Sequence, residues 1–221
     1  MPISCYISVA VGAYLLGSIP FGFLAAKARG IDIRNVGSGN IGATNALRVL
    51  GKPAGVFVLL MDAAKGYAAC ALLAGLIYNF FVPSWSALFE NQPVEFQMRC
   101  KVLAGVCAVL GHNYTCWLKF KGGKGIATSA GVFLALAPWP LLIALVVFIL
   151  AVALTRYISL GSIAAAVALP AAVWLLTPHN LLLGIMTTAL GALAIYKHKS
   201  NIQRLRAGTE HKLGSKPVTA K

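Results

Sequence analysis

Long apolar runs alternate with short polar segments along this chain, and that alternation constrains its fold more than any other feature. Only 11% of the 221 residues are charged, whereas a soluble domain carries about 25%. An apolar run of roughly 20 residues can cross the hydrocarbon core of a bilayer as an α-helix. A helix also satisfies its own backbone N–H and C=O groups there. The sequence therefore predicts an all-α, polytopic integral membrane protein.

The apolar runs give seven candidate transmembrane helices in a single membrane domain. No basic residue precedes the first run and it is long enough to span, so we do not expect a cleavable signal peptide. The fourth and fifth runs are short and flank Pro138-Trp139-Pro140, so they form either two tilted crossings or one kinked crossing. The predicted spans are 3–26, 54–82, 102–118, 126–137, 141–155, 160–176 and 181–196, followed by a basic tail at 197–221.

The distribution of basic residues predicts the orientation. With seven spans, every Lys and Arg except Lys65, Arg99 and Lys101 falls on the side of the bilayer that holds the C-terminus. Cytoplasmic loops carry such an excess of Lys and Arg. A single kinked crossing would instead place Arg156 and the tail on the opposite side. We therefore expect seven spans, with the N-terminus outside and the C-terminus in the cytoplasm.

The net charge of +14 does not indicate a nucleic-acid partner. The basic residues lie in short loops and in the tail, where membrane topology accounts for them. The five cysteines are scattered through apolar segments without CxxC spacing, which is typical of buried thiols. No Asp, Glu, His or Cys set has metal-ligand spacing, so we expect no metal and no cofactor.

Residues 37–45, with the sequence GSGNIGATN, predict a phosphate-binding loop. Glycine tolerates positive φ and close backbone approach, and successive N–H groups in such a turn bind anions. A short helix after the loop would direct its positive end at the ligand, and Arg34 and Arg48 would bracket the site. The alternative is a flexible connection between two helices. A dinucleotide fingerprint is excluded because no βαβ unit surrounds the glycines.

Three further polar segments are predicted at the same cytoplasmic face. They are the glycine-rich turn around Lys124, the segment 156–162 with Ser159, and the segment 198–201 with His198 and Asn201. Each has a plain alternative: a basic cytoplasmic loop, a helix N-cap at Ser159, and an interfacial histidine. Inside the bilayer, Asp62 and Lys65 are three residues apart and are expected to neutralise each other, and the pair His112-Asn113 is expected to bond neighbouring helices.

Some catalytic patterns are missing from the sequence. No histidine has an aspartate four or five positions later, and no serine lies in a Gly-x-Ser-x-Gly elbow. A site with many anion donors and few bases suits a substrate that is already activated.

Four motifs together resemble the bacterial acyl-phosphate:glycerol-3-phosphate acyltransferase family. They are GSGNIGATNALR at 37–48, FKGGKGIAT at 120–128, RYISLG at 156–161 and HKSNIQRL at 198–205. Asp62-x-x-Lys65-Gly66 and Gly111-His112 fit as well. The resemblance covers about residues 14–205 and leaves out the 83–99 connection and the end of the tail.

The resemblance implies transfer of a fatty acyl group from acyl phosphate to the 1-hydroxyl of glycerol 3-phosphate at the cytoplasmic face of a bacterial plasma membrane. It implies Lys124, His198 and Arg48 as catalytic residues, and an acyl-phosphate-forming enzyme as a candidate partner. The implied acyl-phosphate ligands are Gly37, Ser38, Gly39, Asn40, Thr44 and Asn45, and the implied glycerol-3-phosphate ligands are Arg48, Lys124, Ser159, His198 and Asn201.

Two other functions fit a membrane protein with these polar segments. A transporter of phosphorylated solutes would also place glycines and charges within the bilayer, but it would carry paired broken helices in two halves. A lipid-binding protein would use its basic face only to hold anionic lipids, and Lys-to-Arg changes would then be harmless.

Overall fold

The computed structural model describes residues 3–82 and 93–214, and within those ranges its secondary structure is entirely helical. A π-helical turn at Ala69–Leu73 joins the helices Lys52–Ala68 and Ala74–Phe81 into one continuous helical stretch. The helices are α1 Ile3–Ser18, α2 Phe21–Lys27, α3 Ala43–Leu50, α4 Lys52–Ala68, α5 Ala74–Phe81, α6 Pro93–Asn113, α7 Ile126–Leu136, α8 Pro138–Thr155, α9 Ile158–Leu176, α10 Leu181–Lys197 and α11 Lys199–Arg206.

Four helical stretches are long and apolar enough to cross a bilayer: Ile3–Lys27, Lys52–Phe81, Pro138–Thr155 and Ile158–Leu176. Helices α10 and α11, bent by 55° at their junction, together form a fifth candidate. Helix α7 is apolar but has only 11 residues, and α6 carries three charged residues in its first half. The count of seven crossings and the orientation stay predictions.

Small residues allow the helices to pack closely. On α1, Gly17 lies against the backbone of Ala108 in α6, and on α4, Gly66 lies against the Thr128 carbonyl in α7. A Cβ at either glycine would overlap that backbone. Such small-residue contacts are typical of helices that associate in lipid. Large apolar side chains such as Phe80, Leu154 and Leu175 instead face outwards, which suits a hydrocarbon environment.

The structure corrects several predicted boundaries. The first span is broken between Ser18 and Phe21, beside Pro20. The third runs over 93–113 instead of 102–118, because a 3-10 turn at Cys116–Leu118 follows it. Of the polar connection predicted at 83–99, residues 83–92 lie outside the described residues and the rest is helical.

Pro138-Trp139-Pro140 opens helix α8 instead of forming a turn. The break between α7 and α8 falls on Ala137, whose backbone is non-helical at φ −152° and ψ 70°. Prolines are tolerated in the first turn of a helix because no helical acceptor exists there for the missing N–H.

The described part of the C-terminal tail is ordered. Helix α11 bends away from α10 by 55°, and Gly208, after its end, adopts a positive φ of 68°. The backbone N–H of Leu213 then donates to the Arg156 carbonyl at 2.7 Å, and the Arg156 guanidinium donates to the Leu213 carbonyl at 2.8 Å. Glu210, within this segment, lines the same cavity as Thr44 of α3 and Ser159 of α9.

Candidate active site

A cavity of about 270 Å³ opens between the loop before α3, the start of α9, and the α10–α11 junction. Most of the site residues predicted from the sequence line it: Ser38, Asn40, Thr44, Asn45, Arg48, Lys124, Ser159, His198 and Asn201. Segments far apart in sequence therefore converge on one space. Of the remaining predicted residues, Gly39 lines an adjoining cavity and Gly37 shapes the turn.

The 37–45 loop has a defined shape that its own side chains hold. Gly37 and Gly39 adopt positive φ values of 63° and 68°, which only glycine adopts without strain. Asn45 is buried; its oxygen accepts from Ser38 N–H at 2.9 Å, and its amide donates to the Val36 carbonyl at 3.0 Å. A loop held by this many bonds is not the flexible connection considered above.

The hydrogen bonds of Asn45 bear on its predicted role. Its amide also donates to the Ile33 carbonyl at 3.3 Å, so both ends of the side chain are used within the loop. In this arrangement Asn45 supports the loop and has no donor left for a ligand. The backbone N–H groups of Ala43 and Thr44, in the first turn of α3, line the cavity and have no acceptor among the described residues. These are the groups a helix start offers to an anion.

Of the two arginines expected to bracket the loop, only Arg48 reaches the cavity. Arg34 forms an exposed ion pair with Asp32 at 2.7 Å and lies 5.0 Å from the centre of the Phe23 ring. The bracketing role predicted for Arg34 was therefore wrong, because its near neighbour Asp32 occupies it. Arg48 donates weakly to the His211 carbonyl at 3.4 Å.

Lys124 belongs to a chain of polar side chains that crosses the cavity. Its ammonium donates to the Asn201 oxygen, and the Asn201 amide donates to Glu210 Oε1 at 3.0 Å. Glu210 Oε2 accepts from Arg204 Nε at 2.8 Å. Each member of this chain fixes the next, so the ammonium has a defined position.

The surroundings shift the protonation of two cavity residues. Burial, followed by the positive charge of Arg204, lowers the pKa of Lys124 to about 8, although Glu210 opposes the shift. Burial, followed by the charge of Lys124, lowers the pKa of His198 to about 4. His198 is thus neutral at pH 7. Because its Nδ1 lies 2.8 Å from the Ala194 carbonyl, Nδ1 carries the proton and Nε2 is a hydrogen-bond acceptor.

Ser159 lies inside the first turn of α9, and the N-cap position belongs to Tyr157. The capping alternative for Ser159 is therefore wrong. Its hydroxyl is buried and has no hydrogen-bond partner in the described structure. A buried unpaired hydroxyl costs free energy, and a ligand in the cavity that it lines would supply the partner.

A second, more polar cavity of about 340 Å³ shares Ser38, Asn40 and Lys124 with the first. Three further cations line it: Lys197, Lys199 and Arg204. Two adjoining spaces with a lysine between them can hold two anions at once.

Sequence reasoning missed Glu210 and His112, which also line the first cavity. Glu210 is the only carboxylate in the sequence after Glu95, and an isolated acid within a basic tail could have indicated a buried ion pair. The sequence predicts that His112 bonds neighbouring helices, and Gly111-His112 belongs to the family resemblance, but neither observation indicated a place in the cavity. The expected pairing of Asp62 with Lys65 is confirmed, at 2.8 Å.

Comparison with known proteins identifies the family. The family model for glycerol-3-phosphate acyltransferase matches residues 7–208. The chain is 47% identical to the glycerol-3-phosphate acyltransferase of Desulforamulus reducens, over 95% of this chain and 96% of the relative. The chain belongs to the glycerol-3-phosphate acyltransferase family. The Geobacter sulfurreducens enzyme of the same name is 47% identical over 90% of this chain and 93% of its own.

The acyltransferase family also includes solved structures with this fold. The crystal structure of PlsY, an integral membrane glycerol 3-phosphate acyltransferase, in its glycerol 3-phosphate form matches with a TM-score of 0.80 at 38% identity, over 95% of this chain and 96% of that one. Its lysophosphatidic acid form matches with a TM-score of 0.78 at 36% identity. The prediction of an all-α integral membrane acyltransferase is thereby confirmed, and the transporter and lipid-binding alternatives are wrong.

Proposed function

We propose that this protein transfers a fatty acyl group from acyl phosphate to the 1-hydroxyl of glycerol 3-phosphate and releases lysophosphatidic acid and inorganic phosphate. The observation that carries the proposal is that two groups of anion-binding residues, the loop 37–45 with the start of α3 and the group around Arg48, Ser159 and His198, meet at Lys124 in one cavity that adjoins a second, cationic one. An acyltransferase that used a thioester donor would need one phosphate site next to its reacting carbonyl, whereas acyl phosphate and glycerol 3-phosphate bring two.

Two phosphorylated substrates repel each other, and fixed cations offset that repulsion. The loop 37–45 and the start of α3 are proposed to hold the phosphate of acyl phosphate through backbone N–H groups, Ser38, Asn40 and Thr44, with Asn45 as the support. Arg48, Lys124, Ser159, His198 and Asn201 are proposed to hold glycerol 3-phosphate. Lys124 lies between the two groups and neutralises charge for both.

The apolar part of the first cavity suits the acyl chain. Leu47 of α3, Val56 and Leu59 of α4, and Phe148 of α8 line it. Leu59 and Val56 are also exposed on the outer surface of the helix bundle. A chain that starts at the loop would therefore pass between α4 and α8 into the hydrocarbon, with its phosphate kept at the cytoplasmic face.

The proposed reaction is direct transfer without an acyl-enzyme. The hydroxyl oxygen of glycerol 3-phosphate attacks the acyl carbonyl carbon, and the bond between that carbon and the phosphate oxygen breaks. The hydroxyl proton passes to the departing phosphate, which is released as HPO4²⁻. Even a phosphate dianion, whose conjugate acid has a pKa of roughly 6, is a stronger base than His198, whose pKa is about 4. His198 Nε2 instead accepts a hydrogen bond from the 2-hydroxyl and thereby orients the 1-hydroxyl for attack.

This mechanism requires little acid–base chemistry from the protein. An acyl phosphate is a mixed anhydride, so the leaving group departs without a strong acid. Proximity, orientation and charge neutralisation then supply the acceleration. This is consistent with a cavity that holds donors and cations but only one carboxylate, Glu210, already bonded to Asn201 and Arg204.

The test is incubation of the purified protein with palmitoyl phosphate and labelled glycerol 3-phosphate, with palmitoyl coenzyme A as the alternative donor. We expect labelled lysophosphatidic acid and one equivalent of phosphate with palmitoyl phosphate alone. Product formation only with the thioester would contradict the proposal.

A further inference from the structure

Asp62, Lys65 and His112 form a buried polar cluster that meets the first cavity at His112, and none of the proposed substrate contacts uses it. Lys65 Nζ lies 2.8 Å from Asp62 Oδ1, and His112 Nδ1 lies 3.4 Å from the same oxygen. All three side chains are at most 5% exposed. Ionisable groups within a membrane protein are costly to bury, so they mark a function by default.

One side of the cluster reaches the glycine-rich turn before α7. The His112 carbonyl accepts from Gly123 N–H at 3.0 Å, and the Asn113 carbonyl accepts from Gly122 N–H at 3.2 Å. The His112 ring lies so close to Gly123 that a Cβ there would overlap Nε2. The His112 ring therefore packs directly against the turn at Gly123, the residue before Lys124.

The other side of the cluster reaches the loop 37–45. Lys65 Nζ donates to the Ile19 carbonyl at 2.7 Å, at the break between α1 and α2. Just after that break, Gly22 lies against the Ile41 carbonyl, and a Cβ at Gly22 would overlap it. The same ammonium that neutralises Asp62 thus fixes the segment on which the loop rests.

We propose that Asp62, Lys65 and His112 are positioning residues that hold the loop 37–45 and the turn 122–124 at a fixed separation and thereby set the place of the Lys124 ammonium. The Asp62 carboxylate lies beside both Lys65, on the side of the loop 37–45, and His112, on the side of the turn 122–124. A change in the cluster should therefore displace both the loop and the turn. The proposal rests on the phosphate-binding role proposed for Lys124 above.

The test measures glycerol 3-phosphate affinity by calorimetry for wild type, Lys124→Ala, His112→Gln and the double variant. If His112 acts through Lys124, His112→Gln weakens binding about tenfold in the wild-type background and less than about twofold in the Lys124→Ala background. Equal weakening in both backgrounds would overturn the proposal and leave the role of Lys124 intact. If Lys124→Ala itself leaves affinity unchanged, both the role of Lys124 and the positioning proposal are wrong.

A second measurement separates positioning from a loss of folding. Gly123→Ala presses a methyl group against the His112 ring and should weaken binding, whereas His112→Ala removes the ring and makes room for that methyl group. The double variant Gly123→Ala, His112→Ala should then lose less affinity for glycerol 3-phosphate than the sum of the losses in the two single variants. Additive losses would show that the ring does not set the turn.

Discussion

The two glycine-containing loops of the cavity achieve fixed shapes in different ways. The loop 37–45 is held by its own side chains, chiefly Asn45, which bonds Ser38, Val36 and Ile33. The turn 119–125 forms backbone bonds with His112 and Asn113 at the end of α6, and with Thr115 just after it. The shape of the loop 37–45 is thus determined by residues close to it in sequence. The shape of the turn 119–125 depends on its contact with the end of α6.

The largest effect is expected at Lys124, which lies between the two loops. Lys124→Ala removes the only cation that lines both cavities among the residues that the structure describes, and it should lower kcat/KM by about 1,000-fold, the usual cost of losing a charge-stabilising group. Lys124→Arg should lose about tenfold or more, because the wider guanidinium cannot replace an ammonium bonded to Asn201. Steady-state assays with both substrates measure these losses, and full activity of Lys124→Arg would show that only net charge matters.

Asn45→Ala should break the self-supported loop. It removes one buried and two partly buried hydrogen bonds, each of which contributes about 0.5–1.5 kcal/mol, so we expect kcat/KM to fall by about 100-fold with a raised KM for acyl phosphate. Asn35→Ala, an exposed asparagine on the same segment, is the matched control and should stay within about twofold of wild type. Equal effects of the two changes would mean that Asn45 does not support the loop.

The two loops also differ in how far the sequence predicts them. Gly37, Gly39 and the donors around them indicate an anion site because the loop is local and Arg48 follows within one helical turn. The sequence does not show that Asn45 is used as a support, since its partners Ile33 and Val36 offer only backbone oxygens. The sequence also does not show that the Arg34 guanidinium forms an ion pair with Asp32.

The second loop illustrates what a single sequence cannot give. The resemblance indicated Lys124, Ser159, His198 and Asn201. It did not indicate Glu210, which lies in the segment after α11 that returns to form hydrogen bonds between Leu213 and Arg156. Some helix boundaries were predicted wrongly because different local structures share the same composition. Apolar composition is the same for a helix and for the 3-10 turn after Asn113, and the prolines of α8 suit a first turn as well as a break.

The pH dependence tests whether the ammonium of Lys124 binds substrate. The Lys124 pKa of about 8 means that the ammonium is present below pH 8 and is lost as pH rises through that value. The KM for glycerol 3-phosphate should therefore rise above pH 8, by up to about tenfold per unit. A profile that is flat from pH 7 to 9 would contradict a direct role for the charge.

Glu210→Gln should shift that profile. Because Glu210 opposes the lowering of the Lys124 pKa, removing its charge should move the inflection to a pH below 8 and reduce activity several-fold at pH 8. The amide keeps the size of the side chain but can accept only one of the two bonds from Asn201 and Arg204, so thermal unfolding in detergent should also move to a lower temperature. An unchanged inflection would separate Glu210 from the electrostatics of the site.

The smallest effect is expected at Arg34. Its guanidinium is paired with Asp32 outside the cavity, and an exposed ion pair contributes about 0–1 kcal/mol. Arg34→Ala should keep kcat/KM within about twofold, whereas Arg48→Ala should lower it strongly. An equal loss of kcat/KM in Arg34→Ala and Arg48→Ala would show that Arg34 contributes to the site after all.

The proposed mechanism requires that both phosphorylated substrates are bound around Lys124 at the same time. Initial rates measured while acyl phosphate and glycerol 3-phosphate are varied together test this most directly. Simultaneous occupation predicts double-reciprocal lines that intersect. Parallel lines, the pattern of a covalent acyl-enzyme released before the second substrate binds, would contradict it.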